Sequence, residues 1–313
     1  MEANALVLNG VTIDDTFAEA FPMNATRVII TARTREWAEH AALSMTGFAT
    51  SVIACGCEAG IERRLDAGET PDGRPGIAVL VFAMSGKELA KQVERRVGQC
   101  VLTCPTTAVY AGRDEGEPIA LGRNLRFFGD GWQISKMLGG KRYWRVPVMD
   151  GEFVCEETTA VVKCVGGGNL LLLAHDTDAA LLAAQTAVAA MRRLPNVIMP
   201  FPGGVVRSGS KIGSKYAALS ASTNDAFSPS LAPLARSDLS QGVNCVLEIV
   251  IDGLSDKDVA AAMRAGIAGV VELGPRRGAM RISAGNYGGK LGPFHFHLRE
   301  LSLPAADGPG GGQ

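Results

Sequence analysis

The strongest constraint on this chain is an internal repetition. GIAVLVFA (Gly76–Ala83) is an unbroken apolar run of strand length, suited to a strand buried on both faces. Ser85 follows it and opens a helix to about Val101, with Glu88 three residues on in a capping box. CVLEIVI (Cys245–Ile251) leads in the same way to Ser255, Asp258 and a helix to about Val271. Ser85 and Lys87 correspond to Ser255 and Lys257 at a shift of 170 residues, which also superposes the strands before them. Upstream, the strand RVIITA (Arg27–Ala32) and a helix from about Arg35 to Met45 correspond, at a shift of about 142, to the strand NLLLLA (Asn169–Ala174) and a helix capped by Asp176 that runs to about Arg193. SVIA (Ser51–Ala54) and NVIM (Asn196–Met199) read as the next strands. NLRFF (Asn124–Phe128) closes the first copy; AMRISAG (Ala279–Gly285) and FHFHL (Phe294–Leu298) close the second. This pattern predicts an α+β fold of two ferredoxin-like βαββαβ lobes from an internal duplication. The lobes span 1–150 and 151–304, with the break near Met149-Asp150-Gly151 and a disordered Gly/Pro-rich tail at 305–313. Two such lobes meet in a cleft, a common place for a ligand.

Several function classes drop out. A formal charge of −1 gives no electrostatic case for nucleic acid or an acidic membrane. The opening MEANALVLNG lacks the basic and apolar regions of a signal peptide, and the longest apolar-looking run, Ala179–Met191, is 13 residues, too short to span a bilayer. A cytoplasmic protein is expected, its seven cysteines reduced. Cys55-Gly-Cys57 and Cys100-x-x-x-Cys104 lack the second pair a zinc site needs, and read as packing residues. His295 and His297 share a strand face without a supporting Cys or acid, which fits a half-exposed face better than a metal. There is no Walker loop, no dinucleotide fingerprint and no nucleophile elbow. The triple glycine Gly166–Gly168 precedes a strand rather than a helix, which argues against a phosphate cradle.

Two features point toward a ligand. MPFPGGVVRSGSKIGSKYAALSASTND (Met199–Asp225) carries Arg207, Lys211 and Lys215 with no acid before Asp225, and interleaves Ser208, Ser210, Ser214, Ser220 and Ser222 with glycines. It is either a long basic surface turn or a loop whose hydroxyls and N–H groups hold an anion; its length favours the second. The other feature is Glu248, which shares a strand face with Val246 and Val250 where the first copy has Ala78. The fold therefore does not require an acid there. Either the strand lies at an edge and Glu248 points to water, or its carboxyl sits in an apolar setting, is kept neutral, and can protonate a leaving nitrogen or an oxyanion.

Several blocks taken in order carry a family resemblance: DDTFAEAF (14–21), TPDGRPG (70–76), FFGDG (127–131), PFPGG (200–204), SKIGSK (210–215), ASTNDA (221–226), CVLEIVIDG (245–253) and SAGNYGGKLG (283–292). From about Val11 to Leu301 the chain closely resembles formylmethanofuran:tetrahydromethanopterin formyltransferases. The resemblance implies two ferredoxin-like lobes, a homodimer or homotetramer, and transfer of a formyl group between the amine of a methanofuran-type carrier and N5 of tetrahydromethanopterin. Both carriers are co-substrates, and no metal or prosthetic group is implied. It makes Glu248 the catalytic acid, with direct attack of one amine on the formyl carbon held by the other. It also suggests Arg207, Ser210, Lys211, Ser214, Lys215, Thr223, Asn224, Ser283 and Asn286 as contacts for the carriers and their anionic tails. The near-neutral charge and the Cys, Ala, Arg and Gly content resemble the bacterial methylotroph branch, where the protein is a subunit of a formyltransferase/hydrolase complex using a methylofuran-type carrier. The alternative is a carrier-binding or scaffolding subunit without catalysis.

Overall fold

The computed structural model describes residues 6–303, so the tail at 305–313 lies outside the described residues. In the first half β1 (Phe17–Thr31), α1 (Arg35–Thr46), β2 (Glu58–Leu65), β3 (Gly76–Ala83), α2 (Gly86–Arg96) and β4 (Ala108–Ala111) follow in order. The second half repeats them as β5 (Thr158–Ala174), α3 (Thr177–Met191), β6 (Val197–Ile198), β7 (Cys245–Gly253), α4 (Asp256–Leu273) and β8 (Arg281–Ser283), with β9 (Phe294–His297) after them. Short polar side chains start the four main helices: Thr34, Ser85, Asp176 and Ser255 each accept a hydrogen bond from the backbone N–H three residues on.

Within each half the strands lie side by side in the order second, third, first, fourth, all antiparallel: β2-β3-β1-β4 and β6-β7-β5-β8. Helices α1 and α2 cover one face of the first set through Ala38, Ala41, Met45, Leu89 and Val93. The alanine-rich α3 packs with α4 on Leu170, Leu172, Ile249 and Ile251 of the second. The two sets are one sheet. Five consecutive residues of β5, Val162–Gly166, pair antiparallel with Ala25–Phe21 of β1. Beyond them β5 turns to β7, and the register slips between Val165 and Gly168. The triple glycine forms this bulge. A Cβ on Gly166 would lie 2.0 Å from Met23 Sδ, and Gly167 has φ +90° with Phe21 Cε1 2.7 Å from where its Cβ would be.

Several expectations need correcting. SVIA is a helical turn, Val52–Cys55, because the Ser51 hydroxyl accepts from the Ile53 N–H and Gly56 leaves it with φ 74°. The strand it displaces, β2, carries Glu58, Glu62, Arg63 and Arg64, which break the apolar alternation. Arg27 on β1 pairs with Glu62 at 2.6 Å and makes those charges part of the packing. NLRFF is helical, Gly122–Leu125 and then a 3-10 turn Arg126–Gly129; the strand that completes the first set is the earlier β4. The triple glycine lies inside a strand, not before one. The His295 and His297 rings stack on Phe17, 4.7 and 5.0 Å between centroids. TPDGRPG is a brace: Asp72 accepts from Thr31 Oγ1, Arg74 Nε and Tyr110 Oη, tying the ends of β1 and β4 together.

Two carboxyls meet where the halves join. Glu58, at the start of β2, is 5 % exposed, and Asp252 on β7 is 0 % exposed. Glu58 Oε1 accepts from the Val52 N–H and Asp252 Oδ1 from the Gly167 N–H, while Glu58 Oε2 and Asp252 Oδ2 have no donor. The two carboxyls lie close enough to act on each other's ionisation, and a proton held by the pair would let one donate to the other. Burial pushes both above the usual carboxylate range, and the Glu58 charge pushes Asp252 further. A raised acid binds its proton more tightly in the native chain, so this contribution is present at mildly acid pH and is lost as pH rises through the folded values. Glu58→Gln puts an amide donor where that proton would sit. Its melting temperature is expected to fall less than that of the parent between about pH 5 and 8. Parallel curves, with one constant offset across that range, would show that no proton is shared.

Candidate active site

Glu248 lies mid-strand, but not at an open edge. It sits opposite Leu171 of β5, which in turn sits opposite Ser283 of β8. On its other side Val206, from the start of the Met199–Asp225 stretch, exchanges both backbone hydrogen bonds with it at 2.8 and 2.9 Å. Ser283, Leu171, Glu248 and Val206 thus form one row across the sheet. Glu248 is 8 % exposed, and burial pushes its carboxyl up to about 7. The exposed-edge reading is excluded. The carboxyl faces a cavity of about 470 Å³ between the halves, walled by Phe21, Val52 and Met84 from the first and by Asn169, Val250 and Tyr287 from the second. A carboxyl close to half-ionised at neutral pH, in an apolar wall, is suited to giving and taking a proton.

A second cavity of about 600 Å³ adjoins the first and shares Lys211 and Tyr287 with it. Its lining is more polar: Arg281 grips Asp14 through two hydrogen bonds of 2.6 and 2.7 Å, beside Asn224, Ser283 and Asn286. The arrangement offers two compartments separated by two side chains, one largely apolar with Glu248, Glu19 and Glu58 in its wall and one lined by polar groups.

The residues singled out from sequence fall into three groups. Glu248, Lys211, Asn224, Ser283 and Asn286 converge on the two cavities. Arg207 and Thr223 are exposed and line a small crevice behind Val206 that also reaches Glu248. Ser214 and Lys215 fall outside these cavities, where the Ser214 hydroxyl accepts from the Tyr216 N–H and holds the turn. Ser210 lies in the strand Ser210–Ile212, paired in a two-stranded ribbon with Ala221–Thr223. The acid that ends the basic stretch folds back on it: Asp225 Oδ1 lies 2.6 Å from Lys211 Nζ.

Glu19, Asn169 and Tyr287 also shape the site, and residue pattern alone did not single them out. Glu19 of β1 is buried and accepts three backbone N–H groups, Tyr287 at 2.5 Å, Gly289 at 2.6 Å and Leu291 at 2.8 Å. Burial raises its pKa, but the N–H groups of Leu291, Gly289 and Tyr287 outweigh that and hold it below the usual carboxylate range. One carboxylate thereby fixes the loop that carries Tyr287 to the cavity. The available signal was an acid between Ala18 and Ala20, in the apolar opening of its strand. The Tyr287 phenol is pushed up to about 12 by burial and by the Glu248 and Glu19 charges. Asn169 was hidden as the first residue of an apolar run.

Residues 6–148 match the family model of formylmethanofuran-tetrahydromethanopterin formyltransferase, and residues 151–301 match the model of its proximal lobe. The chain is 69% identical over 296 residues to the formylmethanofuran--tetrahydromethanopterin formyltransferase of Methylococcus capsulatus, covering 95% of this chain and 99% of the relative. Its fold is similar to a chain of the formyltransferase/hydrolase complex from Methylorubrum extorquens, solved with methylofuran (TM-score 0.93, 49% identity, 95% of this chain and 99% of that one). It is also similar to the formyltransferase of Methanosarcina barkeri (TM-score 0.89, 46% identity, 95% and 100% covered).

The Glu19 anchor makes a prediction independent of those likenesses. Glu19→Gln turns one acceptor into a donor against the three N–H groups, at a cost on the order of 3 kcal/mol. Amide hydrogen exchange at Tyr287, Gly289 and Leu291 is expected to speed up selectively while β3 and α1 stay protected. Unchanged exchange at those three amides would show that the loop is held by something else.

Proposed function

Since the chain belongs to the formylmethanofuran–tetrahydromethanopterin formyltransferase family, we propose that it moves a formyl group between N5 of tetrahydromethanopterin and the amine of a methanofuran- or methylofuran-type carrier. The observation that carries this reading is Glu248, a carboxyl buried in an apolar wall where two cavities meet. Both carriers bind together, one amine attacks the formyl carbon held by the other, and no group of the enzyme becomes acylated. Glu248, protonated, gives its proton to the departing amine nitrogen and recovers one from the nitrogen that attacked. Lys211, Asn224, Ser283 and Asn286 receive the more polar carrier surfaces. Arg207, Thr223, Ser210, Ser214 and Lys215 serve the anionic tails farther out.

The same reading treats both halves as ferredoxin-like lobes, the first spanning 1–150 and the second 151–304, a description that the shared strand order supports. It gives a cytosolic homodimer or homotetramer that joins other subunits. The Methylorubrum extorquens relative belongs to a complex that combines formyl transfer with hydrolysis. For this chain that means formyl flow from the pterin to the furan carrier and release as formate on a partner subunit.

The test is a spectrophotometric formyl-transfer assay with purified protein, formyl-tetrahydromethanopterin and the deformylated furan carrier. Glu248→Gln is expected to lower kcat about 10²- to 10⁴-fold with fold and carrier binding retained. Because the acid form is populated below about 7 and lost above it, the parent's rate should fall as pH rises through about 7, and the variant should lack that limb. Near-parent activity in the variant would sink the assignment. Binding of both carriers without turnover by the parent would instead support a carrier-binding subunit.

A further inference from the structure

If Glu248 serves the two nitrogens, the formyl oxygen needs a donor of its own. When the attacking nitrogen bonds to the formyl carbon, the carbonyl π pair moves onto that oxygen, and its negative charge needs hydrogen bonds already in place. The single acidic proton of Glu248 is committed to the departing amine. The side chains beside it, Leu171, Val246 and Val250, have no donor to offer.

Two polar side chains share that face: Ser283, beyond Leu171 and lining the second cavity, and Asn169, lining the Glu248 cavity itself. Asn169 sits opposite Val250 in the β5–β7 ladder, and Leu171 sits opposite Glu248. Asn169 is therefore the diagonal neighbour of Glu248 on the same side of the sheet, with backbone positions about 7–8 Å apart. It is 4 % exposed and lines the Glu248 cavity. Its carboxamide is oriented by a bond it makes elsewhere: Oδ1 accepts from the Gly285 N–H at 2.7 Å. That sets which end is oxygen and leaves Nδ2 as the donor end. A Cβ on Gly285 would lie 2.8 Å from Nδ2 and 3.2 Å from Tyr287 Oη, so the absence of a side chain there keeps the space beside the amide open.

We propose that Asn169 is a further catalytic residue of this site, donating a hydrogen bond from Nδ2 to the formyl oxygen as it becomes anionic. This rests on the formyl-transfer reading given above. The attacking N–H nitrogen supplies the electron pair of the new C–N bond, and the carbonyl π pair moves to oxygen beside Nδ2. On collapse that pair re-forms C=O and the old C–N bond breaks. The departing nitrogen takes the proton of Glu248, and the attacking nitrogen returns one to it. Asn169 neither gains nor loses a proton, so its contribution persists at any pH where Glu248 can act.

The decisive variant is Asn169→Asp, which keeps an oxygen for the Gly285 N–H but replaces the donor with an acceptor; Asn169→Ala removes both. Each is expected to lower kcat about 10²- to 10³-fold. KM for both carriers should stay within about threefold. A second readout is the infrared C=O stretch of a ¹³C-labelled formyl group bound to the protein. It should lie below its solution frequency in the parent and return toward it in both variants, a shift that a purely structural role would not produce. Near-parent kcat in Asn169→Asp would overturn the proposal, since a residue needed only to hold Gly285 is satisfied there. Should both variants fail to fold, a parent formyl stretch at or above its solution value would overturn it equally, and one below it would support it. Failure of the parent to transfer formyl at all would refute the formyl-transfer reading itself, and this proposal with it.

Discussion

The pairing of β1 with β5 is the contact on which the molecule depends. Five residue pairs, from Ala25–Val162 to Phe21–Gly166, turn two four-stranded sets into one sheet. The end of this ladder and the bulge beyond it reach the Glu248 cavity, with Phe21 and Gly167 both in its lining. The bulge follows from the join. A strand that pairs with β1 over its middle and with β7 over its end must change register between them, and glycine is the residue that lets Met23 and Phe21 come so close. Geometry set by this join thus places the acid of one half against the wall of the other.

Four carboxyls around this seam show how environment gives one functional group different roles. Glu19 meets three N–H groups and stays ionised, holding a loop. Glu248 meets apolar side chains and is pushed up to about 7, within reach of proton exchange. Glu58 and Asp252 meet each other between the halves, and burial pushes both up. Glu19 and Glu58 also reach the cavity, but Glu19 is matched by three N–H groups and Glu58 by the Val52 N–H and Asp252; Glu248 meets only apolar side chains there, which leaves its proton free to transfer.

Much of this was legible in the sequence because the duplication supplied an internal control. Ser85 and Ser255 as caps, the apolar β3 and β7, and the alanine-rich α3 were read from residue pattern, and Ala78 marked Glu248 as an acid the fold did not need. The misreadings have local physical causes. β2 carries four charges, two of which have partners well outside the local sequence, Arg27 for Glu62 and Glu39 for Arg64, so its pattern looked unlike a strand. SVIA has strand composition, but the Ser51 cap and Gly56 close it into a turn. In the site, Glu248 stood out by pattern, whereas Asn169 and Glu19 did not. Their roles depend on Gly285 and on the 287–291 backbone, more than a hundred residues away, and no local pattern encodes such partners. Lys211 was read as part of a basic run suited to an anionic tail, and Asp225, 14 residues on, closes on it.

The shared ladder also bears on how such a protein can be divided. A first half made alone would carry β1 with residues 21–25 stripped of their partner, and a second half would carry β5 with 162–166 bare. Each exposed segment is an open sheet edge whose natural complement is another strand, the feature that drives edge-to-edge aggregation. Neither half can be released without baring such an edge, so cutting the chain at its midpoint is expected to yield two sticky strands rather than two soluble halves.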